Sequence, residues 1–268
     1  MRKIIFICIA IAAALPVVAQ KTKQEKKDER RQRINALIKQ EEEGVIAYRK
    51  HSVFGFKLTS DGYGGFYEFG KAQSVRKSLL FQLDFAERKH PKEEKQTLYW
   101  APGSPIIFGK INYFYPLKLG VQQQILLGNK TNKNGVSVTA NFGGGISLGF
   151  LRPYYLEIND STNGSRRAIK YDSPDSILFS SANKLLEPEV AVTSAGFGKG
   201  WGNMKLTPGL YAKTAIRFDY GRYNEAISAI EVGGTVEYYS KDIPQLIFID
   251  QKKLFFNVYV AILFGKRK

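Results

Sequence analysis

Residues able to do acid–base or nucleophilic chemistry are few in this chain: two histidines, His51 and His90, and one cysteine, Cys8. His51 is followed by Ser52, but neighbours on a strand point to opposite faces, a poor arrangement for a base and its nucleophile. His90 sits in the run Glu87-Arg88-Lys89-His90-Pro91-Lys92-Glu93. It could act as a base at a rim, yet general acid–base work needs a partner and a pocket that spacing does not supply. Read as a charged loop, Arg88, Lys89, His90 and Lys92 suit contact with the phosphates of lipopolysaccharide. No spacing of His, Cys or carboxylates has the form of a metal site, so neither metal nor cofactor is expected. Gly143-Gly144-Gly145 and Gly196-Phe197-Gly198-Lys199-Gly200 lack the strand–loop–helix setting of a phosphate loop. The first reads better as a strand that passes bulky neighbours. No catalytic residue is identified.

The compartment is read from the first residues. Arg2 and Lys3 precede an apolar run from Ile4 to Leu15, and Pro16-Val17-Val18-Ala19 supplies a breaker and small residues. Residues 1–19 therefore read as a secretory signal peptide with cleavage after Ala19. Cys8 leaves with it, so the mature chain has no disulfide framework. The net charge is +16, or +14 once Arg2 and Lys3 are removed. Export makes lipid phosphate the expected partner of that charge, and nucleic acid is not expected. Residues 20–44 are dense in Lys, Arg, Glu and Gln and form a charged arm, helical or disordered, available to a periplasmic protein.

From Val45 the period becomes two. Val136, Val138, Ala140, Phe142, Ile146, Leu148 and Phe150 share one face, and Ser137, Thr139, Asn141, Gly143, Gly145, Ser147 and Gly149 the other. Such a strand suits a tilted membrane crossing with about 9–11 embedded residues. The same alternation marks eight strands, near 45–60, 63–72, 77–88, 106–127, 135–158, 204–220, 224–240 and 253–265. The connections at 73–76, 128–134 and 221–223 are short and would be periplasmic. Those at 61–62, 89–105, 159–203 and 241–252 include all the long ones and would be outer loops. Residues 45–268 thus read as an all-β, antiparallel, up-and-down transmembrane barrel. Eight strands become ten if Pro116 breaks 106–127. In the long loop, Pro174, Asp175 and Ser176 before 177–186 suggest a short helix.

An eight-stranded barrel is only wide enough inside for side chains. The charges whose parity points inward are Lys57, Glu68, Asp84, Lys110, Lys118, Lys213, Arg217, Asp219, Glu231 and Glu237. Buried charges persist when paired, so a plugged, salt-bridged lumen is expected.

Phe85-Ala86-Glu87-Arg88-Lys89-His90-Pro91-Lys92-Glu93-Glu94 resembles an uncharacterised family of outer-membrane β-barrels from Bacteroidota. The stretches 58–65, 132–135 and 144–155 add to the likeness. The resemblance implies the fold and the membrane and carries no established activity. Gly265-Lys266-Arg267-Lys268 after Phe264 departs from the usual barrel terminus. The leading expectation is a structural or surface-binding barrel without enzymatic activity. The alternatives are a barrel enzyme modifying lipid A or phospholipid, and an accessory subunit of a secretion or transport machine.

Overall fold

The computed structural model describes residues 49–97, 104–129, 135–159, 166–172, 192–221 and 226–268, together with scattered residues between 24 and 36. The chain divides into two units, Met1–Ala47 and Tyr48–Lys268. In the first, the described residues are helical and exposed, with Arg31 and Asp28 3.9 Å apart. The signal peptide and the helix expected at 177–186 lie outside the described residues.

The second unit contains β1 (Lys50–Thr59), β2 (Gly62–Ala72), β3 (Lys77–Arg88), β4 (Lys95–Gln96), β5 (Ile106–Ile107), β6 (Asn112–Gly128) and β7 (Ser137–Pro153). These are followed by β8 (Tyr155–Asn159), β9 (Arg166–Lys170), β10 (Val192–Ser194), β11 (Lys205–Asp219), β12 (Ala226–Ile243) and β13 (Lys252–Arg267). Eight of them close into one antiparallel barrel in the order β1-β13-β12-β11-β7-β6-β3-β2. Each pairs with its neighbours along the chain, and β1 meets β13 from His51↔Arg267 to Thr59↔Tyr259. Wherever the paired strands overlap, closure leaves no sheet edge, and the backbone polar groups there are satisfied by neighbouring strands.

The period-two pattern sorts onto the two faces of this wall. Phe54, Phe56, Leu58, Phe142, Ile146, Leu210, Ile216, Val258, Val260 and Ile262 all face outward and are exposed. Their neighbours Lys57, Asn141, Ser147, Lys213, Arg217 and Tyr259 face inward and are buried. A soluble barrel has the opposite polarity, because water rewards polar groups outside.

Pro116 does not break its strand. It pairs with Gly149 across β7, while the β3 ladder skips between Phe85↔Leu117 and Arg88↔Phe114. A residue without an N–H fits such a gap. The count is therefore eight, not ten.

Two ends expected to belong to barrel strands do not. Ile106 and Ile107 leave the wall and pair with Gln96 and Lys95. The strand expected to reach 158 ends at Pro153, and β8 joins β9 and β10 in a separate three-stranded sheet. Ile106, Ile107, Tyr154, Leu156, Ile158 and Ile169 bury one another there. A second small core at the long-loop end diverts these segments from the wall.

Inside, two glycines make room for bulk. The Cβ of a residue at Gly120 would fall 2.2 Å from the Tyr211 hydroxyl and 2.6 Å from the Gly144 carbonyl oxygen. One at Gly70 would fall 2.0 Å from the His51 ring. Gly120→Leu should cost about 1–3 kcal/mol through overpacking. A lower urea midpoint with the fold retained is the outcome to look for, and an unchanged midpoint would contradict the packing described.

Candidate functional site: a salt-bridged lumen beneath a basic rim

The inward positions of β2, β11 and β12 bring Glu68, Lys213, Arg217 and Glu231 to one level. Arg217 reaches Glu68 at 2.6 Å and Glu231 at 2.6 Å. Lys213 lies 2.9 Å from Glu231 and 3.8 Å from Glu68. Glu231 also accepts hydrogen bonds from the Tyr259 hydroxyl at 2.6 Å and the Asn141 amide at 2.9 Å. A carboxylate with this many donors is well held in spite of burial, since charge-assisted bonds offset the lost hydration.

Gln82, the ladder partner of Glu68, accepts from Lys213 at 3.2 Å and from Gln122, and nearer the long loops Lys57 pairs with Asp84. Glu237 takes Lys118 and Arg88, each at 2.5 Å, and the Tyr239 hydroxyl at 2.7 Å. Arg88 also lies 3.4 Å from Asp61. At the opposite end Asp219 binds Arg267 at 2.6 Å. Apolar clusters fill the space between these polar layers. One includes Phe66, Tyr259 and Leu263, the other Phe114, Leu151 and Tyr239.

Two assignments made from the sequence need correction. Arg88 was grouped with Lys89, His90 and Lys92 as a surface contact, but it is 3% exposed and bound to Glu237 inside the barrel. Its parity with Asp84 in β3 was the available signal. Lys110 was placed among the lumen charges, yet it sits beyond β5 in the outer cap, 2.6 Å from Glu93 and 3.9 Å from the Tyr113 ring centre. Burial lowers its pKa, opposed by Glu93. The chain leaves the wall before Lys110, so strand parity no longer governs it.

Of the remaining basic-rim residues, Lys92 is exposed, and Lys89 and His90 are half-buried. Lys89 lies over the Tyr63 ring at 5.3 Å. His90 Nδ1 accepts the Lys92 backbone N–H at 3.2 Å. Partial burial and then Lys252 and Lys92 lower its pKa, which favours the neutral ring. Among the described residues no cluster of His, Cys, Asp and Glu could hold a metal ion.

Sequence reasoning missed Arg152, which points outward from β7 and is 1% exposed. Its guanidinium lies 4.2 Å from the Tyr113 ring centre, 4.8 Å from Phe197 and 4.9 Å from Trp201. It donates to the Phe197 carbonyl at 2.5 Å. The 195–203 segment thus folds back on the barrel wall, a tertiary contact that the alternating pattern does not encode.

No family model matches the chain, and no curated protein matches it. Among solved structures it is similar to Neisserial surface protein A, at 12% identity and a TM-score of 0.37, covering 82% of this chain and 97% of that one. The attachment invasion locus protein Ail of Yersinia pestis matches at 8% identity and a TM-score of 0.35, covering 82% and 99%. The outer membrane protein OprG of Pseudomonas aeruginosa matches at 10% and 0.33, covering 82% and 96%. The eight-stranded closure is read from this chain's own strand registers.

Glu231→Gln should leave Arg217 and Lys213 undercompensated and cost about 3–5 kcal/mol, the range for breaking a buried pair. Adding Lys213→Met should recover part of the loss. Urea unfolding of the refolded protein measures both; a single-variant cost below about 1 kcal/mol would contradict the network's role.

Proposed function

We propose that this chain is a bacterial outer-membrane β-barrel of the uncharacterised Bacteroidota type that its sequence resembles, exported by its leader and serving as a structural or surface-binding element. The observation that carries the reading is the inverted polarity of the wall. Large apolar side chains such as Phe56, Phe142, Leu210 and Phe256 stand on the outside, while the ion pairs of Glu231 and Glu237 are sealed within. Hydrocarbon solvates the first set and excludes the second, and an antiparallel sheet meets that solvent stably when closed. No helix among the described residues is long and apolar enough to cross a membrane.

Lys89, His90 and Lys92 stand at the long-loop end, which would be the outer face, and would contact lipopolysaccharide phosphates there. The charged arm of residues 20–44 would lie in the periplasm. The paired charges and packed aromatic rings of an interior only wide enough for side chains support binding or structural work over conduction.

In cells, the mature chain should fractionate with the outer membrane and migrate faster on gels before boiling than after. Recovery in the soluble periplasmic fraction would overturn the reading. Ile146→Arg, on the outward face of β7, should reduce stability in lipid by about 2–4 kcal/mol. In planar bilayers the purified protein should show no steady pore current; stable open channels would refute the sealed lumen.

A further inference from the structure

The barrel rim is uneven where β1 meets β13. β1 ends at Thr59, paired with Tyr259, and the Ser60 N–H reaches the Val258 carbonyl at 2.9 Å. β13 continues past that level to Lys252, held on its other side by β12 through Thr235↔Asn257 and Tyr238↔Leu254. Among the described residues no strand pairs with the β1-facing edge over 252–257. A strand edge with unmet N–H and C=O groups cannot face hydrocarbon. It must lie at headgroup depth or meet a polar partner.

A cleft of about 470 Å³ occupies this step, between the turn at Ser60 and Asp61, the 89–92 loop and the free edge of β13. Leu246, Leu254 and Phe256 supply apolar walls. Phe256 is 69% exposed and continues the outward column of Val258 and Val260, so the cleft opens sideways onto the apolar band. Its basic rim is Lys89, Lys92 and Lys252. Asp61, one of its two lining acids, is 3.4 Å from Arg88, which leaves the rim cationic. Backbone bonds from Ile111 to Gln245 and from Ile247 to Gly109, at 2.8 and 2.9 Å, tie the far wall to the cap.

We propose that this lateral cleft seats one phosphorylated acyl lipid of the surrounding membrane, its phosphate on the lysine rim and one chain along Leu254 and Phe256. The inference rests on the membrane reading above and adds a defined lipid site to it. Charge complementarity and continuity with the apolar band favour an anionic lipid over a second protein.

The test is native mass spectrometry of the full mature chain in detergent micelles, titrated with dimyristoylphosphatidylglycerol or dimyristoylphosphatidylcholine. These lipids share chains and differ in head charge. About tenfold stronger retention of the glycerol lipid is expected, with inorganic phosphate unable to displace it. Lys89→Ala/Lys92→Ala/Lys252→Ala should abolish the preference, and Leu254→Trp, which fills the cleft, should weaken retention of both lipids. Equal retention of the two lipids, an unaffected triple variant, or displacement by phosphate would overturn the proposal. Gel migration of the same preparations separates the two ideas. A heat-modifiable protein without lipid preference defeats the site alone, whereas loss of heat-modifiable migration in the unmutated chain defeats the membrane reading and the site together.

Discussion

A lumen scarcely wider than its side chains must hold six cations, Lys57, Arg88, Lys118, Lys213, Arg217 and Arg267, and five carboxylates, Glu68, Asp84, Asp219, Glu231 and Glu237. Every other feature of the barrel answers to that condition. Isolated charges at such burial would cost several kcal/mol each, and only short, multiply bonded pairs offset the lost hydration. Glu231 and Glu237 act as hubs because each sits where three strands' inward rows converge. The tyrosines Tyr239 and Tyr259 add neutral donors that complete a carboxylate's lone pairs without adding another charge to neutralise. Gly149 and Gly209 beside Tyr239, and Gly233 beside Tyr259, keep the cross-section from overfilling.

The wall was legible from sequence because a period of two is a strong signal when one face is apolar throughout. β3, β7, β11 and β13 could be read from Phe81 to Phe264 by parity alone. Parity also carried Glu68, Asp84, Lys213, Glu231 and Glu237 to one interior, though it could not pair them, since partners such as Arg217 and Glu68 come from strands that do not adjoin. Arg88 follows its strand, where it pairs with Gly62 and binds Glu237 inside, and not the charged loop that it adjoins in sequence. Lys110 and the segments at 106–107 and 155–159 failed for a different reason. Their burial depends on tertiary contacts among short strands, and two-residue pieces such as β5 carry no periodicity to read.

The cap shows how a loop end can be ordered without extending the barrel. The Tyr154 hydroxyl oxygen accepts the Ile107 N–H at 3.0 Å, beside the Ile106, Leu156 and Ile169 core. Below it, Arg152 lies between aromatic rings and backbone carbonyls, an arrangement in which a delocalised guanidinium loses less on dehydration than an ammonium would. Phe197 and Trp201, drawn onto the wall by this contact, stand level with Tyr115, where aromatic side chains favour an interface between apolar and polar media.

The seam between β1 and β13 sets the order in which the molecule can be built. All other neighbouring strands in the ring follow one another in the order of the wall, whereas β1 and β13 are its first and last strands and the most distant in sequence. Their ladder therefore bears the largest chain-entropy cost and forms after the successive hairpins have aligned. Until it forms, both β1 and β13 offer complementary bare edges, the state in which an assembling sheet is most open to pairing with a foreign strand. Loop-closure entropy and bare-edge exposure thus fall on the same pair of strands.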